Sequence, residues 1–256
     1  MATIKILGSG TSTGVPQIGC KCETCTSVDP RDRRLRASAL VEIEDKNILI
    51  DCGPDFRQQM IAAGAPHLDA LLITHIHYDH VGGLDDLRPY CHGKPFPIYC
   101  RRDVADDIRA RMPYCFVEHP YLGVPTFDIH IIEPGVPFEV KGIKVEPIEV
   151  IHGKLPILGF RIGCMAYITD CKTMPDKSLQ RLKGLDILVI NALRHEPHPS
   201  HLALSETLEI VRRAAPRRAV FTHMSHQIGP HARVTPTLPS NVCLASDGLT
   251  HTFPNP

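Results

Sequence analysis

The chain alternates between short apolar runs and polar segments, and most of the apolar runs have the length of a strand. They are rich in β-branched residues and are bounded by Gly, Pro, Asn or Asp, which favours strands over helices. We predict strands at residues 3–7, 37–43, 47–50, 68–73, 98–100, 127–132, 138–140, 143–151, 165–169, 185–190 and 219–222. We predict helices at 56–63, 81–90, 104–112 and 204–215, the last because apolar residues recur there at helical spacing. Strands that alternate with helices predict an α/β fold.

Chemically active side chains directly follow several of these predicted strands. The strands at 47–50, 143–151, 165–169 and 219–222 end, in that order, at Asp51, His152, Asp170 and His223. The loop after 185–190 carries three imidazoles, those of His195, His198 and His201. In an α/β fold the carboxyl ends of strands gather along one edge, where sites are built. The repeated placement therefore predicts one functional site at that edge.

The densest group of potential metal ligands is the sequence Thr-His-Ile-His-Tyr-Asp-His at residues 74–80, directly after the predicted strand 68–73. Side chains alternate in an extended segment, so His75 and His77 point the same way and can share one ion. Asp79 and His80, at the start of a predicted helix, can serve a second ion. Nitrogen and oxygen donors of this kind suit borderline divalent metals.

Three thiols lie close together near the N-terminus, at Cys20, Cys22 and Cys25, in a segment without core periodicity. Thiols at this spacing favour a zinc site over free cysteines or a redox pair. A tetrahedral site needs a fourth ligand, which no nearby residue supplies. The preceding small-residue loop, 8–16, is neither a dinucleotide fingerprint nor a Walker A loop. The basic run 31–36 is interpreted as a solvated loop.

Composition limits the classes of function. The 256 residues suit one large or two small domains, and Lys+Arg equals Asp+Glu at 28 each, so no global field favours nucleic acid or membrane. The N-terminal sequence lacks a secretory signal pattern, and no apolar run has the length of a membrane span. Ten cysteines in such a chain suggest free or metal-bound thiols. We therefore expect a cytoplasmic protein.

The order and spacing of these ligands resemble the metallo-β-lactamase superfamily. Asp51, the 75–80 motif, His152, Asp170 and His223 carry the resemblance, which covers essentially the whole chain. It implies an αββα sandwich, here one domain over 1–256 with a zinc-binding loop insertion at about 19–36. Within the superfamily the chain is most similar to the cyclic-phosphate phosphodiesterase of the carbon–phosphorus lyase pathway. Four features carry this finer likeness: the small-residue loop 8–16, the thiols of Cys20, Cys22 and Cys25, the sequence Thr-His-Met-Ser-His at 222–226, and His201.

This resemblance implies two catalytic manganese or zinc ions and one structural zinc. One catalytic ion would be held by His75, His77 and His152, and the other by Asp79, His80 and His223. Asp170 would bridge them, and a hydroxide shared by the two ions would attack a small phosphodiester. His201 is the candidate general acid and Asp51 an orienting group, so that His201, Asp79 and Asp51 form the catalytic set. The structural zinc would be held by Cys20, Cys22, Cys25 and His226.

Two alternatives stay open at this stage. A tRNA 3′-processing nuclease shares the chemistry, but the neutral overall charge and the lack of a basic arm between Asp85 and Phe138 count against it. A non-catalytic or biosynthetic accessory protein, such as the one associated with pyrroloquinoline quinone synthesis, also carries a Cys-rich loop. We expect a small-molecule partner and no membrane. The oligomeric state is open, with a homodimer as one alternative.

Overall fold

Two seven-stranded β-sheets face each other, and helices cover their outer faces, in a computed structural model of the chain that describes residues 1–118, 121 and 123–256. The predicted αββα sandwich is therefore confirmed. Among the described residues, no helix combines the length and the apolar character needed to cross a bilayer.

Most of the predicted elements are present, with ends that differ by one or two residues. The strands are β1 (Ala2–Gly8), β2 (Ser38–Ile43), β3 (Lys46–Ile50), β4 (Ala70–Leu72), β5 (Phe96–Cys100), β6 (Phe127–Ile131), β7 (Phe138–Val140), β8 (Ile143–His152), β9 (Leu155–Ile162), β10 (Met165–Ile168), β11 (Ile187–Asn191), β12 (Arg218–Thr222), β13 (Val242–Leu244) and β14 (Thr250–Phe253). The helices are α1 (Phe56–Ala62), α2 (Tyr78–Val81), α3 (Arg102–Arg111), α4 (Asp176–Gln180), α5 (Leu204–Ala214) and α6 (His231–Val234). Single 3₁₀ turns lie at Pro30–Asp32, Pro113–Cys115, His226–Ile228 and Thr235–Thr237.

Strand direction brings the predicted site residues to one edge. The first sheet has the order β14-β1-β2-β3-β4-β5-β6 and the second β13-β12-β11-β10-β9-β8-β7. β3 to β6 are parallel to one another, and so are β10 to β13. β8 and β10 are both antiparallel to β9 and therefore run in the same direction. The carboxyl ends that carry Asp170, His223 and His152 consequently lie together.

Period-two alternation separates the two faces of the first sheet. In β3, Ile48 and Ile50 pack into the core between the sheets, while Leu49 belongs to a second core under α1 and α3. β4 divides in the same way, with Leu72 inward and Leu71 outward. All five side chains are fully buried, and each contributes about 1.5–3 kcal/mol relative to an exposed position. The strands that carry the site are thus held on both faces.

The predicted helix at 81–90 is wrong. Helix α2 ends at Val81, and a 3₁₀ segment, Leu84–Cys91, follows it. The break lies at Gly83, whose N–H donates to the Cys52 carbonyl oxygen at 2.9 Å. A Cβ at Gly83 would collide with the Gly53 carbonyl oxygen. The close packing of these two backbone segments therefore interrupts the helix. Pro89 then removes one more donor from the segment.

Three strands were not predicted, namely β9, β13 and β14. β9 contains Pro156 and Gly159, which disfavour a strand in sequence-based prediction. Gly159 is required there, because a Cβ would meet the Ile168 side chain and the Tyr167 carbonyl oxygen on β10. β13 and β14 are short edge strands, which present little periodicity to recognise.

Candidate metal centre

The backbone is held in an uncommon conformation at three of the strand ends that carry site residues. Asp51, Asp170 and His223 have φ values of 61°, 53° and 53°. Few residues other than glycine adopt this left-handed region, although Asp and His tolerate it better than most. Such a conformation persists only where the surrounding structure enforces it, which is common at functional sites. It turns each side chain sharply from its strand toward the edge.

The first ligand set consists of His75, His77, His152 and Asp170, whose candidate ligand atoms all lie within 4.8 Å of one another. His75 Nε2 is 2.9 Å from His77 Nδ1 and 3.8 Å from Asp170 Oδ2. His152 Nε2 is 4.0 Å from the same Asp170 oxygen. Of the four residues, only His77 is exposed. The alternation predicted for His75 and His77 therefore brings both rings to one point.

The second set consists of Asp79, His80, Asp170 and His223, which are all buried. His80 Nε2 lies 3.1 Å from Asp79 Oδ2 and 3.3 Å from Asp170 Oδ1. His223 Nε2 lies 3.4 Å and 3.1 Å from the same two oxygens. Asp170 thus presents Oδ2 to the first set and Oδ1 to the second. We call the seven residues together the His/Asp centre.

The donors of the His/Asp centre fit divalent metal ions. Ligand atoms bound about 2.0–2.2 Å from one ion lie roughly 3–4 Å from each other, which is the spacing found here. His80 Nε2 is a buried nitrogen without a hydrogen-bond partner among the described residues. Its other ring nitrogen, Nδ1, is 2.7 Å from Asp51 Oδ2. A histidine that donates Nδ1–H to a carboxylate presents a free Nε2 lone pair to a metal.

Two further contacts orient the ligands from behind. Asp51 accepts hydrogen bonds from the backbone N–H of Thr74 at 2.9 Å and from its hydroxyl. Asp51 is therefore anchored between β3 and β4 while it holds His80. His152 Nδ1 lies 2.7 Å from the Ser200 carbonyl oxygen, which leaves Nε2 to face Asp170. Sequence reasoning missed Thr74 and Ser200, because backbone and hydroxyl partners carry no signature.

The electrostatics of the centre favour a cation. Burial opposes charge on His80, but the carboxylates of Asp79, Asp170 and Asp51 raise its pKa well above the ordinary histidine value. Burial likewise opposes ionisation of Asp170, yet His223 and His80 lower its pKa well below the usual range. Burial and the charge of His80 lower the pKa of His75, which keeps that ring neutral. The carboxylates thus favour positive charge at His80, which a divalent ion supplies in place of a proton. A neutral His75 and an ionised Asp170 are ligand forms that such an ion requires.

Of the three histidines in the loop after β11, the structure brings His201 to the centre. Its Nδ1 lies 3.8 Å from Asp170 Oδ2, and its ring stacks on His223 with centroids 5.0 Å apart. Burial, together with the charge of His223, lowers the pKa of His201 to about 3. His198 contacts the ring of His201 from outside, while His195 is exposed and bonds the Ile228 carbonyl oxygen at 3.0 Å.

A second cluster of candidate metal ligands lies beside this centre and contains the three thiols. Cys20, Cys22, Cys25 and His226 offer ligand atoms within 4.8 Å of one another, and we call them the Cys/His cluster. His226 Nδ1 is 3.4 Å from Cys20 Sγ and 3.2 Å from Cys22 Sγ. The hydrogen bond from His226 lowers the pKa of Cys22 to about 6. Three thiols and an imidazole form a donor set that suits structural zinc.

The predicted solvated loop at 31–36 is wrong in one respect. The Arg34 side chain is fully buried and pairs with the buried Asp32 at 2.9 Å. Its guanidinium also donates to the carbonyl oxygens of Ser225 and Gly229 on either side of His226. Arg34 thereby attaches the Cys-bearing connection to the end of β12. A buried arginine inside a basic run has no signal in a single sequence.

Comparison with known proteins agrees with this geometry. The family model described as the beta-lactamase superfamily domain matches residues 46–224. An octanoyltransferase from Porphyromonas gingivalis is 44% identical over 246 residues, which cover 95% of this chain and 50% of that protein. The chain therefore spans about half the length of this curated relative. A solved structure described as a new diphosphatase from the PhnP family is 41% identical, with a TM-score of 0.92 over 98% of this chain and 96% of its own.

More distant relatives include both alternative classes raised by the sequence. A coenzyme PQQ synthesis protein B from Methylobacterium is 28% identical and covers 73% of this chain and 71% of its own length. A ribonuclease Z from Mycobacterium is also 28% identical, with 85% and 90% covered. The family match extends over most of the chain and includes the ligand motif, Asp170 and His223. The chain therefore belongs to the metallo-β-lactamase superfamily.

Proposed function

We propose that the chain is a metal-dependent hydrolase that cleaves a phosphodiester or diphosphate bond in a small molecule, with two divalent ions held in the His/Asp centre. The observation that carries the proposal is the carboxylate of Asp170, whose two oxygens face two separate ligand sets. His75, His77 and His152 would complete one set, and Asp79, His80 and His223 the other. Zinc or manganese bound there would supply a nucleophile from water near neutral pH and positive charge for phosphoryl oxygens.

Residues of the chain position these ligands. Asp51 holds His80 through Nδ1, and the Ser200 carbonyl oxygen holds His152 in the same way. Both contacts fix the tautomer that turns Nε2 toward Asp170. The Cys/His cluster would hold a structural zinc, which clamps the connection from β1 to β2 onto the end of β12. Ten unpaired cysteines support a reducing, cytoplasmic environment for this cluster.

The leaving group decides whether His201 acts as an acid. A sugar or alkyl alkoxide is a poor leaving group and needs a proton, whereas a phosphate leaves without one. With a pKa of about 3, the ring of His201 is neutral in the free protein, so a bound phosphate must raise this pKa before the ring can donate. The cyclic-phosphodiester likeness favours the acid role for His201, and the diphosphatase relative favours hydrogen bonding alone.

Replacement of His201 by Ala separates the two roles. Rates are compared for an alkyl phosphodiester, for bis(p-nitrophenyl) phosphate and for a nucleoside diphosphate ester. A general acid predicts a loss of about 10²–10⁴-fold on the alkyl diester and little loss on the other two. Equal losses on all three would remove His201 from the acid role and leave the diphosphate bond as the favoured target.

The metal content of the purified protein tests the proposed function directly. We expect about three ions per chain, of which a chelator removes two with loss of phosphodiesterase activity and leaves one bound. Full activity in protein that holds a single ion in the His/Asp centre would contradict the proposal. Activity on bis(p-nitrophenyl) phosphate with added manganese separates it from an accessory role.

A ribonuclease Z-like function is the second candidate, favoured by the relative from Mycobacterium. The balance of 28 basic and 28 acidic side chains gives no general attraction to RNA phosphates. A binding assay with precursor tRNA decides between the small-molecule and the ribonuclease Z-like functions, because salt-sensitive binding would support the latter. Octanoyl transfer is not assigned to the chain, which matches only half of the relative with that name.

A further inference from the structure

The loop that carries His201 contacts the His/Asp centre on one side and the neighbours of His226 on the other. This His201 loop, residues 192–203, connects β11 to α5. On its inner side, the Ser200 carbonyl oxygen bonds His152, and the ring of His201 lies 4.5 Å from that of His152. On its outer side, the loop packs against the turn at residues 225–228, which contains His226 of the Cys/His cluster and is called the His226 turn. The loop therefore lies between the two clusters.

Hydrogen bonds join the His201 loop to the His226 turn at several points. Ser225 donates its N–H and its hydroxyl to the Leu193 carbonyl oxygen, at 3.0 and 2.9 Å. His195 Nε2 lies 3.0 Å from the Ile228 carbonyl oxygen. These contacts fix the beginning of the loop, while the two prolines at 197 and 199 stiffen the part that leads to His201.

Arg194 joins the two segments through a contact between two side chains. Its Nη1 donates to Gln227 Oε1 at 2.9 Å, and Gln227 is the neighbour of His226. The same guanidinium donates to the carbonyl oxygens of Pro197 at 3.0 Å and Glu196 at 3.2 Å. One planar group thus binds the middle of the His201 loop and the His226 turn at once, which a lysine ammonium cannot reproduce.

From this arrangement we infer that Arg194 is a positioning residue, which couples the Cys/His cluster to the place of His201 beside Asp170. His226 fixes the turn, Gln227 fixes the guanidinium, and the guanidinium fixes the carbonyl oxygens of the segment that leads to His201. The hydrogen bonds of the Arg194 side chain go to Glu196, Pro197 and Gln227, and none of these belongs to a ligand set. Arg194 acts only through the position of the His201 ring. A displacement of about 1 Å at such a position can lower the rate by up to about a hundredfold.

This inference rests on the proposed function, and its test compares substrates that depend on His201 to different degrees. In Arg194→Ala and in Gln227→Leu we expect kcat on an alkyl phosphodiester to fall about 10–100-fold, with an unchanged KM and little loss on bis(p-nitrophenyl) phosphate. Gln227→Glu keeps an oxygen acceptor for Arg194 and should retain the wild-type ratio of the two rates. The double variant Arg194→Ala/Gln227→Leu should lose no more than Arg194→Ala alone, because Arg194→Ala already removes the contact with Gln227.

Hydrogen exchange gives a readout that needs no activity. Within residues 198–202, the backbone N–H groups of Ser200 and Leu202 donate to His198 Nδ1 and to the Cys171 carbonyl oxygen. These two amides should exchange about tenfold faster in Arg194→Ala and in Gln227→Leu than in the wild type. The matched control is Arg217→Ala, which removes an exposed guanidinium paired with Asp186 at the opposite end of β12. It should leave both the rates and the exchange of the His201 loop unchanged.

Three results would overturn the inference: equal rate losses on both substrates, additive losses in the double variant, or unchanged exchange at 198–202. Failure of the proposed function looks different, because the wild-type protein would then hydrolyse neither diester. In that event the exchange comparison alone decides whether Arg194 and Gln227 hold the His201 loop. Faster exchange would support the positioning role, and unchanged exchange would refute it.

Discussion

The two clusters of candidate metal ligands differ in what holds them in place. The His/Asp centre is built on strand ends from both sheets, and Asp51 and Ser200 support its ligands from behind. The Cys/His cluster takes its three thiols from residues 9–37, which contain no strand and a single 3₁₀ turn. We therefore expect that the scaffold prepares the first site before a metal binds, and that the second site depends on its metal to order a loop. This difference suits a reaction centre beside a structural clamp.

The largest effect is expected from a variant that disrupts the His/Asp centre and leaves the Cys/His cluster intact. Asp170→Asn removes the charge shared by both ligand sets, and we expect activity to fall by at least about a thousandfold because charge stabilisation at the phosphoryl group is lost. The fold should survive, since the neighbouring strands are held by the core on both faces. The check combines rate, metal content and Tm.

If the two clusters differ in this way, Asp170→Asn loses the two removable ions of the His/Asp centre and keeps the resistant ion of the Cys/His cluster. A variant that keeps all its ions and most of its activity would refute the bridging role. A large fall in Tm would show instead that the centre stabilises the fold, and the contrast between the two clusters would disappear.

A variant of the Cys/His cluster should show the opposite pattern, with a loss of stability and with the His/Asp centre intact. Cys22→Ser removes a ligand from the Cys/His cluster, and we expect a loss of about 2–3 kcal/mol in unfolding free energy. For a chain of this size the corresponding fall in Tm is about 5–10 °C. The two ions of the His/Asp centre should stay bound. Calorimetry and metal analysis on the same sample measure both quantities.

Cys243→Ser is a suitable control for Cys22→Ser, because Cys243 lies on β13 away from both clusters. It should leave the metal content unchanged. An unchanged Tm in Cys22→Ser would show that the loop is ordered without metal, and the buried pair of Arg34 and Asp32 would then be its main attachment.

The two clusters also differ in how far the sequence predicted them. The residues of the His/Asp centre were predicted to lie together because each follows an apolar strand, and strand direction places those ends at one edge. The three thiols of the Cys/His cluster were predicted to form a zinc site from their spacing. His226 was added by resemblance alone, because it lies 201 residues beyond Cys25 and no periodicity joins them. Their proximity in the structure agrees with that grouping.

Contacts made by backbone groups and by buried charges were beyond prediction. Ser200 acts through its carbonyl oxygen, which every residue possesses, and Arg34 is a buried charge between the exposed Arg33 and the half-buried Leu35. Helix 81–90 failed because the close approach of Gly83 to Gly53 is a tertiary effect. A single sequence shows what a side chain is able to do, but not which backbone it will meet.

The smallest expected effect concerns the junction between the two clusters. Asp247 accepts hydrogen bonds from the Ser9 N–H at 2.9 Å and from the Leu35 N–H at 2.7 Å. Ser9 in turn accepts from the backbone of Met224, next to His223, and Leu35 follows Arg34. Asp247 thus joins the end of β12 to the Cys-bearing connection, and burial raises the pKa of its carboxyl to about 6.

The sign of the pH dependence follows from this pKa. Because the folded-state value lies above the unfolded value of 3.8, the folded protein binds the proton more tightly, and stability from this group is full below about pH 3.8 and is lost as the pH rises through 6. Between pH 4 and 7 we expect the unfolding free energy of the wild type to fall by about 1–3 kcal/mol relative to Asp247→Asn, which cannot ionise. Denaturant unfolding of both proteins across this range measures the difference. If the unfolding free energies of the two proteins change in parallel with pH, the carboxyl of Asp247 is solvated in the folded state. The junction would then be held by the backbone contact between Ser9 and Met224 instead of by a buried charge.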